Sequence, residues 1–91
     1  MEQMNTEGLA LVRVDYDSAD VPDSVKQTHP VVYRNGGEYC CVLGPDPERG
    51  IFGRGKTLND ALSKFDRQFQ ERLEHPIKGD PVSEFIQQRH I

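Results

Sequence analysis

The feature that most constrains this chain is a stripe of apolar residues that recurs at helical spacing in its second half. An apolar residue at every third or fourth position places its side chains on one face of an α-helix. Thr57 is a favoured N-cap residue, and Asp60 follows three positions later as in an acidic form of the capping box. His75-Pro76 ends the pattern, since proline cannot continue a helix. We therefore predict one long amphipathic helix over residues 57–74. Its apolar stripe consists of Leu58, Ala61, Leu62, Phe65, Phe69 and Leu73.

The residues before this helix predict an antiparallel sheet. Two β-branched and aromatic runs, at 31–34 and 38–43, flank Asn35-Gly36-Gly37. Asn-Gly is a strong hairpin signal because both residues tolerate a positive φ. Residues 44–50 are rich in proline and glycine and predict a loop. Residues 51–55 predict a short third strand, whose glycines mark a bend or a close approach to another element.

The two ends of the chain give weaker patterns. Residues 1–8 predict a frayed terminus, and 9–15 a strand followed by a long connection with one helical turn after Pro22. Asp80-Pro81 is typical of a helix start and predicts a short helix over 80–90. The fold class that follows is α+β: an antiparallel sheet of three or four strands, packed on one long amphipathic helix as a βββα core, with a short C-terminal helix. We predict a single domain over 1–91, with its core at 31–75.

Size and charge exclude some classes of protein. A length of 91 residues is that of one domain. A net charge of -4 argues against the basic surface of a general nucleic-acid binder, although a local basic patch is compatible with it. No apolar run nears the roughly 20 residues that span a bilayer, and the polar start MEQMNTEG differs from a secretory signal. Cys40 and Cys41 are adjacent, so an ordinary disulfide between them is not expected, and we predict a reduced, cytoplasmic protein.

The stretch GIFGRGKT, residues 50–57, matches the phosphate-loop pattern G-x-x-x-x-G-K-[ST]. A phosphate loop needs a strand running directly into its first glycine and further parallel strands behind it. Here PDPER precedes Gly50, and no strong β run follows Thr57. We therefore interpret these residues as a strand and a helix N-cap. Arg49, Arg54 and Lys56 lie in this region without an acid from Arg49 to Asn59, which suggests a rim that holds a phosphate or a partner's carboxylates.

The run from Val31 to Phe69 resembles the N-terminal domain of HicB-like antitoxins, a βββα unit related to a shortened ribonuclease-H-like fold. The resemblance rests on a hairpin, VVYR-NGG-EYCCVL, a proline-containing loop, GPDPERG, and a short strand, IFGRG. It also rests on the helix start GKTLNDAL, which is similar to the family's G-x-T-x-x-[ED]-A-L. The resemblance implies this fold and a role in binding another protein.

Catalytic and metal-binding constellations are not apparent in the sequence. The acidic run Asp15, Asp17, Asp20 and Asp23 lies in a turn-rich stretch, where aspartate bonds to its own main chain. None of the three histidines has a partner at zinc-ligand spacing. We therefore predict no enzyme activity, no catalytic residues, no cofactor and no metal.

The strand at 38–43 is apolar on both faces. Cys41 and Leu43 point one way and Cys40 and Val42 the other, so both faces need cover. The long helix covers one face. The other requires the short C-terminal helix, the N-terminal segment or a second protein chain, from which we predict a homodimer or another protein partner.

The sequence thus favours a non-catalytic, antitoxin-like protein-binding module that presents a sheet edge and a basic rim. The alternative is a small nucleic-acid-binding protein using the same rim, and a degenerate nuclease comes third. No membrane partner is expected. The predicted binding residues are Arg34, Arg49, Arg54 and Lys56.

Overall fold

The sheet joins strands that are neighbours in the chain. The computed structural model describes residues 4–89 and orders four antiparallel strands β1-β2-β3-β4. The strands are β1 (Ala10–Leu11), β2 (Val31–Asn35), β3 (Glu38–Leu43) and β4 (Ile51–Gly55), and the helices are α1 (Asp23–Thr28), α2 (Leu58–Glu74) and α3 (Pro81–Arg89). The predicted α+β class is confirmed, and the sheet has four strands, the larger of the two predicted numbers.

The central hairpin forms at the predicted part of the chain, but Asn35 is the last residue of β2 and the turn consists of Gly36 and Gly37 instead of Asn35 and Gly36. Strands β2 and β3 pair from Val31 opposite Val42 to Asn35 opposite Glu38, which leaves a two-residue loop. Gly36 has a φ of 64°, the positive value that the first central residue of a tight hairpin turn requires.

Helix α2 begins at the predicted cap. The N–H of Asp60 donates to Oγ1 of Thr57 at 3.1 Å, which satisfies one of the main-chain donors that a helix start leaves unpaired. Ala61, Leu62, Phe65 and Phe69 are buried and lie against one face of the sheet, here called the helix face. The predicted long helix is confirmed.

Two glycines in β4 allow α2 to lie directly on that strand. A Cβ at Gly53 would stand 2.3 Å from the carbonyl oxygen of Ala61 and from the main-chain nitrogen of Phe65, and one at Gly55 would stand 2.4 Å from Cβ of Asp60. Of the two reasons that the sequence offered for these glycines, close approach to another element is the one observed at both positions.

Helix α3 lies on the helix face of the sheet together with α2. The Asp80 carboxylate accepts hydrogen bonds from the N–H and the hydroxyl of Ser83, at 3.1 and 2.9 Å. It also bonds Arg72 of α2 at 2.8 Å. Val82 and Ile86 of α3 are buried in the core between the sheet and the helices. The predicted short helix is therefore present, and residue 90 lies outside the described residues.

The N-terminal strand is shorter than predicted. The N–H of Val12 still donates to the carbonyl of Val32 at 2.9 Å, but Val14 is buried in the core on the helix face, so the chain leaves the sheet edge there. The predicted helical turn after Pro22 is α1. It ends at His29, whose φ of 48° is left-handed and whose ring stacks on Tyr16 with centroids 4.0 Å apart.

The face of the sheet away from the helices, here called the second face, is covered by the chain's own N-terminal segment. Tyr33, Cys40 and Val42 are buried there, and Met4 and Leu9 pack against them. The sequence left three sources of cover open, and the N-terminal segment is the one observed. Residues 1–3 of the predicted frayed terminus lie outside the described residues.

Within residues 4–89, no helix combines the length and the apolar character that crossing a membrane requires.

Candidate functional site

The residues of GIFGRGKT form a strand and a helix cap instead of a phosphate loop. Residues 51–55 pair with β3 along their whole length, from Leu43 opposite Ile51 to Tyr39 opposite Gly55. The hydroxyl of Thr57 is engaged by the N–H of Asp60. The main-chain N–H groups of the strand therefore point alternately toward β3 and away from it, and they do not converge on one anion.

A groove runs along the free edge of β4. It has a volume of about 460 Å³ and lies between the outer side of the strand and the exposed side of α2. We call it the β4 groove. It is lined by Phe52, Gly53, Arg54, Lys64, Arg67 and Gln68.

The main chain on the outer side of β4 faces this groove. Successive residues of an edge strand direct their N–H and C=O groups alternately toward the neighbouring strand and away from it. The N–H of Phe52 donates to Oε1 of the Gln68 side chain, so Phe52 is an outward residue, and Arg54 two positions later is the next. The bond to Gln68 is long, at 3.5 Å, and is therefore weak.

The β4 groove carries positive charge. Three of its lining residues are cations, Arg54, Lys64 and Arg67, and none is acidic. Arg54 pairs with Glu38 at 3.0 Å, but both side chains are exposed, at 62% and 43%, so the pair contributes little stability. Within residues 4–89, Lys64 and Arg67 form no ion pair. All three cations can therefore turn toward a bound anion at small cost.

The structure separates the four predicted binding residues. Arg54 lines the β4 groove, and Lys56 is exposed between β4 and α2. Arg34 aligns across the sheet with Tyr39 and Gly55, which places it on the opposite face from Arg54, and its guanidinium lies 5.3 Å from the centre of the Tyr39 ring. Arg49 lines a different cleft.

That second cleft, of about 390 Å³, lies between the 44–50 loop and the start of α3. It mixes charges of both signs, because Glu48 and Asp80 line it together with Arg49 and Arg72. Burial acts to raise the pKa of Asp80. The hydrogen bonds from Ser83 and the charge of Arg72 outweigh burial and leave that pKa below its usual value. Arg49 is already paired with Asp46 and Arg72 with Asp80, so the cations of this cleft have less to offer a ligand than those of the β4 groove.

The loop acid Asp46 also has a structural partner. The main-chain N–H of Arg49 donates to Oδ1 of Asp46 at 2.9 Å, and its side-chain Nε donates to Oδ2 at 2.7 Å. Both bonds lower the pKa of Asp46, and the bond from the main chain has the larger effect. Asp46 therefore serves to fold the loop.

The acidic run at 15–23 lies in turns and at the start of α1. The N–H of Asp17 donates to Oδ1 of Asp15 at 3.1 Å, and the N–H of Asp20 donates to the hydroxyl of Ser18 at 3.3 Å. Among the described residues, no three His, Cys, Asp or Glu side chains come close enough together to hold a metal ion.

Three residues of the β4 groove were missed by the sequence interpretation: Lys64, Arg67 and Gln68. They lie at positions i, i+3 and i+4 and so share one side of α2. That side borders the apolar stripe, and this spacing was the signal that could have identified them. Their importance depends on the neighbouring strand edge, which a reading of α2 alone does not reveal.

Comparisons of the chain with protein-family profiles, with curated proteins and with solved structures found no match. The resemblance to HicB-like antitoxin domains therefore stays a prediction from the sequence.

Proposed function

We propose that this chain is a non-catalytic protein-binding module that binds its partner in the β4 groove. The observation that carries the proposal is the combination of two features of the described residues 4–89. The outward main chain of the edge strand β4 is held by one weak bond, at Phe52, and the residues that line the groove beside it include three cations and no acid. Main-chain groups at a sheet edge are a general template for binding another polypeptide.

The buried second face supports a partner at β4 rather than a second copy on the sheet. The sequence argument for a homodimer came from apolar side chains on that face. Met4 and Leu9 of the same chain pack on it, and Cys40 and Val42 are 1% and 0% exposed. The proposal therefore takes another protein as the partner, and self-association becomes an outcome of the test.

In its more specific form, the proposal is an antitoxin-like module in the cytoplasm. The sequence resemblance over residues 31–69 supports it, and the observed βββα order of β2, β3, β4 and α2 agrees with the fold that this resemblance implies. A toxin-sized reading frame beside the gene, whose product binds the β4 groove, would favour this form.

Affinity purification with matched variants tests the proposal. The bait is the full chain as wild type, as the groove variant Lys64→Glu/Arg67→Glu, and as the control Arg13→Glu/Lys78→Glu. Both pairs of substitutions are on exposed side chains and change the net charge equally, so loss of binding in the groove variant alone is a local effect. Circular dichroism confirms that each bait is folded.

We expect a protein that co-purifies with the wild type and the control and is lost with the groove variant. Failure of every captured protein to depend on Lys64 and Arg67 would count against the β4 groove. Groove-dependent recovery of RNA or DNA, with binding that falls steeply with salt, would favour the nucleic-acid alternative. A concentration-dependent dimer in light scattering that the groove substitutions abolish would instead favour self-association.

A further inference from the structure

We infer that the partner of the β4 groove is an acidic segment in extended conformation that pairs with β4 as a fifth strand. This inference rests on the proposed function and specifies the chemistry of its partner. It also specifies a residue pattern, since the partner positions opposite Phe52, Gly53 and Arg54 have different chemical surroundings in the groove.

The register of the sheet gives the faces of the added strand. Residues directly opposite one another across a sheet point to the same face. A partner residue opposite Phe52 or Arg54 therefore points to the second face, and one opposite Gly53 points to the helix face. Gly53 itself has no room for a side chain beneath α2, so the partner side chain at that position lies against the exposed flank of α2.

The flank of α2 and the side chains of β4 give these positions their chemistry. The position opposite Gly53 meets Lys64 and Arg67, which both line the groove, and favours Asp or Glu. The position opposite Arg54 favours an acid as well, because an acidic side chain there can pair with Arg54 in place of the exposed Glu38. The position opposite Phe52 meets a half-buried aromatic ring and favours an apolar residue. The resulting pattern is apolar, acidic, acidic.

The hydrogen bonds come from the outward main chain of Phe52 and Arg54. Each residue offers one N–H and one C=O, so a fifth strand gains up to about four main-chain bonds. One of these donors, the Phe52 N–H, exchanges its 3.5 Å bond to Gln68 for a shorter one. Within residues 4–89, the main-chain groups of Phe52 and Arg54 make no other hydrogen bond outside the β3–β4 ladder.

Two other occupants match the groove less well. Pairing of β4 with β4 of a second copy would bring two basic grooves together at one seam, and like charges across strands are destabilising. A nucleic-acid strand would satisfy the cations, but Phe52 is the single aromatic residue among those lining the groove. Single-strand binders use several stacking aromatics. Alternating N–H and C=O groups at strand spacing match a polypeptide.

Selection from a displayed library of random peptides, each about eight residues long and thus of strand length, tests the chemistry. The full chain is the target, beside the Lys64→Glu/Arg67→Glu variant and the Arg13→Glu/Lys78→Glu control. We expect acidic peptides with an apolar position to be enriched on the wild type and the control, and to bind the groove variant about tenfold or more weakly. Enrichment without acidic residues, or equal binding to the groove variant, would overturn the inference.

N-methylation of an enriched synthetic peptide tests the strand geometry. Methyl groups on alternate amides block one edge of an extended peptide and leave the other edge free. We expect one alternate set to weaken binding about tenfold and the other to have little effect, because a strand bonds its neighbour through every second residue. The amide of Arg54 should also become protected from hydrogen exchange. Equal effects of the two sets, or an unprotected Arg54 amide, would overturn the inference.

These outcomes separate this inference from the proposed function. A partner captured through Lys64 and Arg67 that leaves the Arg54 amide unprotected would keep the protein-binding function and eliminate strand pairing. Preferential retention of a single-stranded oligonucleotide over every selected peptide would eliminate both.

Discussion

Gly53→Ala gives a direct test of the contact between α2 and β4. The added Cβ would stand 2.3 Å from the Ala61 carbonyl oxygen and from the Phe65 nitrogen, and 2.8 Å from Cα of Phe65. Ordinary contacts begin near 3.4 Å. The neighbours are main-chain atoms of a helix and cannot rotate aside as a flexible side chain does, so the helix itself must retreat by about 1 Å.

The cost follows from that displacement. A gap of about 1 Å forfeits up to half of the dispersion energy of each contact that it opens, and Phe65 and Phe69 would lose contacts of this kind with the sheet. Overpacking a close-packed core costs about 1–3 kcal/mol and occasionally more. We expect Gly53→Ala to lower the free energy of unfolding by about 3 kcal/mol, a large part of the roughly 5–10 kcal/mol available to a domain of this size.

Urea denaturation followed by circular dichroism measures this change, and Gly37→Ala is the matched control. A Cβ at Gly37 meets nothing within 4 Å, and its φ lies outside the left-handed range, so that substitution should change stability by less than about 1 kcal/mol, toward greater stability. With a urea slope of about 1 kcal/mol/M, the midpoint of Gly53→Ala should fall by about 3 M. Equal midpoints for the two variants would refute the direct contact of α2 with β4.

Three further predictions concern the ends of the helices and the core. Thr57→Ala should lower the free energy of unfolding by about 1 kcal/mol, because it removes the capping oxygen. Thr57→Ser keeps that oxygen and should retain most of the wild-type stability in the same urea titration; equal losses would exclude capping. The pKa of Asp80 is lower in the folded chain than its ordinary 3.8, so its contribution to stability should be complete above that value and lost as the pH falls through the folded pKa. Thermal unfolding across this acidic range should therefore show a smaller loss of stability for Asp80→Asn than for the wild type, and identical pH profiles would argue against the Arg72 pairing. Cys40 and Cys41 are 1% and 0% exposed and burial raises the pKa of the Cys41 thiol, so mass spectrometry should detect alkylation by iodoacetamide only after urea is added; rapid labelling of the folded chain would contradict their burial.

The parts of the fold that were predictable are those that local residues determine. The α2 stripe and the Thr57 cap lie within a few residues of the contacts they make, and Gly36 fixes its hairpin in the same way. The extent of β1 was not predictable, because Val14 leaves the sheet to fill a core space created by distant helices.

The candidate site was predictable only in part, for the same reason. Arg54 was identified because it belongs to a run of cations in the chain. Lys64 and Arg67 join it only because two glycines allow α2 to lie against β4, and Arg34 is separated from it by the alternation of faces across the sheet.

The chain-neighbour order of the strands has a consequence for how the protein forms. Each strand pairs with the next one along the chain, and α2 lies on β4, the strand made just before it. The loops between β2 and β3 and between β3 and β4 are short and cost little entropy to close, and local contacts favour rapid folding, on the order of milliseconds for a mixed domain of this kind. During synthesis, β2, β3 and β4 leave the ribosome before α2 does, so the helix meets the surface that it covers as soon as it emerges.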